Sequence, residues 1–114
     1  MLSSHQEKRL YPRLKLGLPL RYQARGTQEF RNALSDNLSI GGISFTALSY
    51  IAPSTNLMLE INLLSRALNP VARVAWAVPI AHSDKYKLGL EFVEFNPRDR
   101  EYVGDFIDTH LKRF

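Results

Sequence analysis

The sequence predicts an all-β domain, an antiparallel barrel or sandwich, with one α-helix at its C-terminal end. Three observations lead there. Five or six short segments alternate apolar and polar residues with a period of two. Turn residues separate them, as in small antiparallel barrels and sandwiches. The period then changes to that of a helix after Asn96.

The first strand signal runs from Leu14 to Tyr22, where Leu14, Leu16, Leu18, Leu20 and Tyr22 share one face. Pro19 lacks an N–H for a ladder, so this strand is expected at an edge or with a bulge. Arg25-Gly26-Thr27 supplies a turn, and a second strand is expected from about Gln28 to Leu34. Ser35-Asp36-Asn37 then interrupts the chain, and Ile40-Gly41-Gly42 punctuates before Ile43-Ser44-Phe45-Thr46 resumes β character. After a loop at Pro53-Ser54-Thr55-Asn56, Leu57, Leu59, Ile61 and Leu63 alternate with Met58, Glu60 and Asn62. Beyond Asn69-Pro70, the alternation puts Ala72, Val74, Trp76, Val78 and Ile80 on one face. A turn at His82-Ser83-Asp84-Lys85 leads to Tyr86, Leu88, Leu90 and Phe92 on one face of a last strand. Asn96 suits an N-cap, Pro97 the first helical position and Asp99 the first turn. Tyr102, Val103, Phe106, Ile107, Leu111 and Phe114 recur at helical spacing over a helix of about residues 97–113. That apolar stripe requires a packing partner, the barrel first and a second copy next.

Length and composition bound the function. A chain of 114 residues has room for one core and little for a second. With 45% hydrophobic and 23% charged residues it is not a disordered chain. The absence of cysteine excludes disulfides, thiolate metal sites and a cysteine nucleophile. No apolar run approaches the ~20 residues of a membrane span, and the N-terminus lacks the apolar stretch of a secretory leader. A cytoplasmic protein without membrane insertion is the expectation.

The net charge of +4 is unevenly placed. Residues 1–31 carry seven cations and two anions, a net of +5, and the rest of the chain nets −1. Such a bias suggests an anionic partner meeting one end of the domain, although a solubilising tail would also produce it. Catalysis has little support. His5, His82 and His110 are scattered without ligand spacing, and neither a P-loop nor a dinucleotide fingerprint is present. No enzyme activity, metal or cofactor is expected.

Two segments carry binding chemistry. Arg9-Leu10-Tyr11-Pro12-Arg13 sets two arginines four apart, and Pro12 biases Tyr11 away from helix. In a turned segment both guanidiniums can converge on one ligand, gripping phosphate or a guanine O6/N7 edge bidentately. Asp36-Asn37-Leu38-Ser39-Ile40-Gly41-Gly42 is the second. In extended backbone Asn37 and Ser39 point to one side, where their oxygens can accept from a guanine. Gly41 and Gly42 permit positive φ and close backbone approach. Taken alone, this segment reads equally as a side-chain-stabilised turn followed by a glycine bulge.

In this order, the two segments resemble the signature of the PilZ domain family, R-x-x-x-R followed some twenty to thirty residues later by [D/N]-x-S-x-x-G. Arg9 and Arg13 match the first part; Asn37, Ser39 and Gly42 match the second. Val74-Ala75-Trp76 is similar to the family's tryptophan-bearing strand, and Leu88-Gly89-Leu90-Glu91-Phe92 to its G-[VLI]-x-F strand.

The resemblance implies a six-stranded antiparallel β-barrel over residues 14–114, preceded by a flexible basic arm at 1–13. It implies cyclic di-GMP as ligand, with Arg9 and Arg13 on its phosphates and guanine edge, Asn37 and Ser39 reading a guanine, and Gly42 keeping the approach clear. The arm, mobile when free, would order on binding and signal to a protein target in motility, biofilm or secretion control. Lys8 stands where many members carry another arginine, a basic position associated with an intercalated ligand dimer. Asn37 accepts fewer hydrogen bonds than the family's alternative Asp, and Asp36 is a further candidate, although its side chain should face the other way. The expected state is a monomer or weak homodimer. The rival readings are a PilZ-like adaptor that has lost nucleotide binding, and a small nucleic-acid-binding barrel. The second is disfavoured because the basic excess is confined to one end rather than spread over a strand face.

Overall fold

The computed structural model describes residues 12–111. Its strands are β1 (Leu14–Lys15), β2 (Pro19–Ala24), β3 (Arg31–Leu38), β4 (Gly42–Ala47), β5 (Asn56–Leu63), β6 (Arg66–Leu68), β7 (Val71–Pro79) and β8 (Tyr86–Glu94), followed by helix α1 (Pro97–Leu111). All pairings are antiparallel. Six strands follow one another as β3, β2, β5, β7, β8 and β4, and a β3–β4 ladder closes the ring. The short β1 and β6 add to β3 and β5 outside it. Closure removes the unpaired edges an open sheet would present. The expected six-stranded antiparallel barrel with one C-terminal helix is the fold of this chain.

The core follows from the period-two pattern. Leu57, Leu59, Ile61 and Leu63 of β5 meet Leu20 and Tyr22 of β2, Phe45 of β4 and Leu88 of β8, all buried. Asn96 caps α1, its Oδ1 accepting from the Arg98 N–H at 2.8 Å. Val103, Phe106 and Ile107 are buried from the helix into the same core as Leu14. These three residues of the stripe pack on the barrel. His110 turns its ring onto Phe106 and the Phe106 carbonyl, Nδ1 to O 2.9 Å.

Several sequence expectations are corrected. The strand expected from Leu14 to Tyr22 is two strands, because Ser35 draws the backbone inward at residues 16–18. Its buried Oγ accepts from the Leu18 N–H at 2.9 Å and donates to the Leu16 carbonyl. Pro19 lies on no edge: it opens β2, which is paired on both sides, and a strand's first residue tolerates the missing N–H. Ser35-Asp36-Asn37 does not interrupt β3; the strand runs through it with one extra residue, Asp36, where Ser35 faces Phe45 and Asn37 faces Ser44. The alternation expected along β7 fails after Val74. Val74 pairs with Leu90 and Trp76 with Gly89, so Ala75 is likewise an extra residue. Ala72 and Val74 are buried, whereas Trp76 and Val78 are 37% and 51% exposed.

Candidate functional site

The two bulges shape one patch of the barrel wall. A side chain's face follows strict alternation, so one inserted residue sends everything beyond it to the other face. On β3, Ser35 is buried, and without the bulge Asn37 would share its inward face. With Asp36 inserted, Leu38 turns inward and Asn37 outward. On β7, Ala75 does the same for Trp76. The result is a single cross-strand row on the outer surface, Asn37 opposite Ser44, Ser44 opposite Gly89 and Gly89 opposite Trp76. The next row, Leu38, Ile43, Leu90 and Val74, belongs to the core.

Gly89 makes the row possible. The Trp76 indole lies across it, and a Cβ at residue 89 would overlap the ring at Cε2. Gly42 has a comparable role at the other margin, where a Cβ would overlap the Leu90 carbonyl oxygen. Space, not backbone conformation, is what glycine supplies there. Among the described residues the glycine with positive φ is Gly26, so the freedom expected of Gly41 and Gly42 is not used.

Over this row lies a cleft of about 720 Å³, within the range of about 300–1,000 Å³ usual for small-molecule sites. Arg13, Asn37, Ser39, Gly41 and Gly42 line it, together with Ser44, Trp76, Lys87, Gly89 and Glu91. The end of the R-x-x-x-R segment and the Asn37–Gly42 corner thus share one cavity. Lys8 and Arg9 lie outside the described residues, as does nearly all of the arm expected over residues 1–13. Asp36 is not among the lining residues. Its Oδ2, shielded from solvent, meets Lys87 Nζ at 2.9 Å, an ion pair spanning β3 and β8.

The hydrogen bonds assign capacities to these groups. Ser39 Oγ accepts from the Gly41 and Gly42 N–H groups at 3.1 and 3.2 Å and so holds the turn into β4. Two acceptor positions on a hydroxyl are thereby taken, leaving its O–H, which has only a long 3.5 Å approach to the Gly42 carbonyl. Ser39 is a donor to the cleft rather than the acceptor its spacing suggests. Asn37 Nδ2 leans toward Ser44 Oγ at 3.5 Å, which reserves Oδ1 for accepting. Glu91 is engaged by Arg73, with Nη2 at 2.6 Å and Nε at 2.9 Å, so its charge is balanced beside the cleft. The cleft therefore presents cations, one amide acceptor, the Ser39 and Ser44 hydroxyls and an indole surface. That set suits an anion with a planar, donor-bearing base. No cluster of metal-ligating side chains occurs among the described residues, and no helix there is long and apolar enough to cross a membrane.

Sequence reasoning did not assign Trp76, Ser44, Lys87 and Glu91 to the site. One signal was available: a glycine between Leu88 and Leu90 in a strand marks a close approach by something, here the indole.

The comparisons agree with this architecture. The family model described as the PilZ domain matches residues 7–109. MotI/DgrA, an inhibitor of motility from Bacillus subtilis, has a similar fold, with a TM-score of 0.80 at 24% identity, covering 90% of this chain and 51% of that one. The PilZ domain of YcgR from Escherichia coli, solved with c-di-GMP, aligns at a TM-score of 0.67 and 12% identity, covering 90% and 91% of the two chains. PlzA from Borreliella burgdorferi, solved in complex with c-di-GMP, aligns at 0.63 and 14% identity, covering 91% of this chain and 43% of its own. The chain thus spans about half the length of the motility inhibitor and less than half of PlzA. At these identities the likeness is one of fold. No curated protein sequence matches the chain.

Proposed function

The chain belongs to the PilZ domain family, and from that membership we propose that it is a receptor for cyclic di-GMP that performs no chemistry on the ligand. One observation carries the reading: Arg13 from the arginine motif lines the same cleft as Asn37, Ser39, Gly41 and Gly42. Two structural neighbours, YcgR and PlzA, were solved with c-di-GMP.

In this proposal Arg9 and Arg13 bind phosphate and the Hoogsteen edge of a guanine, for which a planar fork is suited. Asn37 Oδ1 accepts from a guanine N–H, and the Ser39 hydroxyl donates. Gly42 gives the Leu90 carbonyl the room it needs beside the cleft, and the Trp76 indole offers a stacking surface for a base. Charge-assisted hydrogen bonds contribute about 1.5–3 kcal/mol each. They offset the backbone entropy lost when the arm orders on the ligand. The arm would close over the ligand and change the surface offered to a protein target in the cytoplasm, in motility, biofilm or secretion control. Lys8 extends the cationic arm and makes an intercalated ligand dimer the variant to test.

Calorimetric titration with cyclic di-GMP tests the reading. Binding is expected, weakened about tenfold or more by Arg9→Ala and by Arg13→Ala, one charge-assisted contact each. Hydrogen exchange of residues 5–14 should slow when the ligand binds. A protein that takes up no cyclic di-GMP, or one indifferent to both substitutions, would overturn the proposal. The stoichiometry of the same titration decides between one ligand and a dimer.

A further inference from the structure

Resting on the receptor reading, we infer that Lys87 of β8 is an anion-binding cation of the cleft outside the arginine motif, and that Asp36 is its counterion rather than a reader of guanine. The placement of Lys87 follows from strand register. It lies two residues from Gly89, hence on the same outer face, in the row that joins Thr46 of β4 to Val78 of β7. It lines the cleft together with Arg13. Its stem is anchored in a ladder paired on both sides, whereas Arg13 precedes the first strand. A cation mounted on the barrel wall needs no ordering of the arm to be in position.

Asp36 accounts for the direction of that cation. As the extra residue of the β3 bulge, it sends its carboxylate to Lys87, Oδ2 to Nζ 2.9 Å, and stays out of the cavity lining. Asp36 holds the ammonium as an ion pair, and an ammonium's three N–H donors leave capacity for an anion in the cleft. The carboxylate also offsets the lysine's charge. A dianionic ligand must then share this cation with Asp36, so removal of the carboxylate favours the ligand. A direct reader of guanine has the opposite signature, because its removal leaves guanine donors unpaired.

Calorimetry with cyclic di-GMP on the whole chain separates these roles. Lys87→Met keeps the apolar stem and removes the charge; it should weaken binding about tenfold and flatten the dependence of affinity on salt. Lys87→Arg, which keeps the charge, should restore affinity to within about threefold of the unsubstituted protein. Lys85→Met, in the hairpin outside the cleft, should change affinity less than about twofold, since an exposed charge is screened. Asp36→Asn should leave binding unchanged or tighten it. If Lys87→Met impairs folding by stranding the carboxylate, Lys87→Met/Asp36→Asn removes both charges and should show the same tenfold loss. Lys87→Met binding like the unsubstituted protein, with Arg13→Ala impaired, overturns the role of Lys87 and leaves the receptor reading standing. A tenfold loss in Asp36→Asn overturns the counterion assignment. Absence of cyclic di-GMP binding to the unsubstituted chain removes the receptor reading and this inference with it.

Discussion

Strands β5 and β7 pair side by side, Asn56–Met58 against Val71–Arg73, yet they do different work. β5 keeps its alternation over eight residues, with Leu57, Leu59, Ile61 and Leu63 buried and Met58 48% exposed. β7 begins the same way with Ala72 and Val74, then slips by one residue at Ala75 and turns Trp76 and Val78 outward. The regular strand supplies core; the slipped one supplies the aromatic surface of the cleft. β3 repeats the device at Asp36, where the slip turns Asn37 outward. A bulge in this barrel is the means by which a closed, fully paired wall acquires outward-facing polar and aromatic groups without losing its core row.

Substitutions in the two strands test that contrast. Ile61→Ala, at a fully buried site in β5, should cost about 2–5 kcal/mol in urea denaturation, transfer and cavity terms together. A cost near zero would mean that the β5 face is not the packed side of the wall. Trp76→Ala should weaken cyclic di-GMP binding about tenfold through lost stacking, while destabilising the fold less than Ile61→Ala does. Because Trp76 is the sole tryptophan, its fluorescence reports the same event in the intact protein. An emission spectrum unmoved by saturating ligand would count against the stacking role. Val78→Ala should change stability by no more than about 0.5 kcal/mol, as at an exposed position. A cost matching that of Ile61→Ala would show that alternation persists beyond Ala75 and that the bulge is wrongly placed.

The fold was legible because its evidence is local and repeated. Each β-segment carries its own apolar face and its own turn residues, and Asn96 and Pro97 announce the helix through its first hydrogen bonds. The errors fall where a distant group overrides the local pattern. Leu16-Gly17-Leu18 reads as strand until Ser35, on another strand, takes its backbone. Trp76 reads as core because nothing near it in sequence signals the inserted Ala75. Of the candidate site, Arg13, Asn37, Ser39, Gly41 and Gly42 could be named from a motif, and they line one cavity. Lys87 and Glu91 could not, since a charged residue on the polar face of a strand looks the same whether it borders solvent or a ligand.

By itself the sequence determined an antiparallel β-domain with a terminal helix, the core faces of β2, β5 and β8, and the segments rich in donors and acceptors. Those depend on period, turn chemistry and residue type, which short stretches of chain express alone. Only the tertiary structure decided which residues share the outer row from Asn37 to Trp76. Bulges are a mismatch between two strands, and neither strand's residues carry that count. Tertiary structure likewise decided that the Ser39 oxygen is taken up by the turn and that Asp36 faces Lys87, because a group's free hydrogen-bonding capacity depends on the neighbours that folding brings to it.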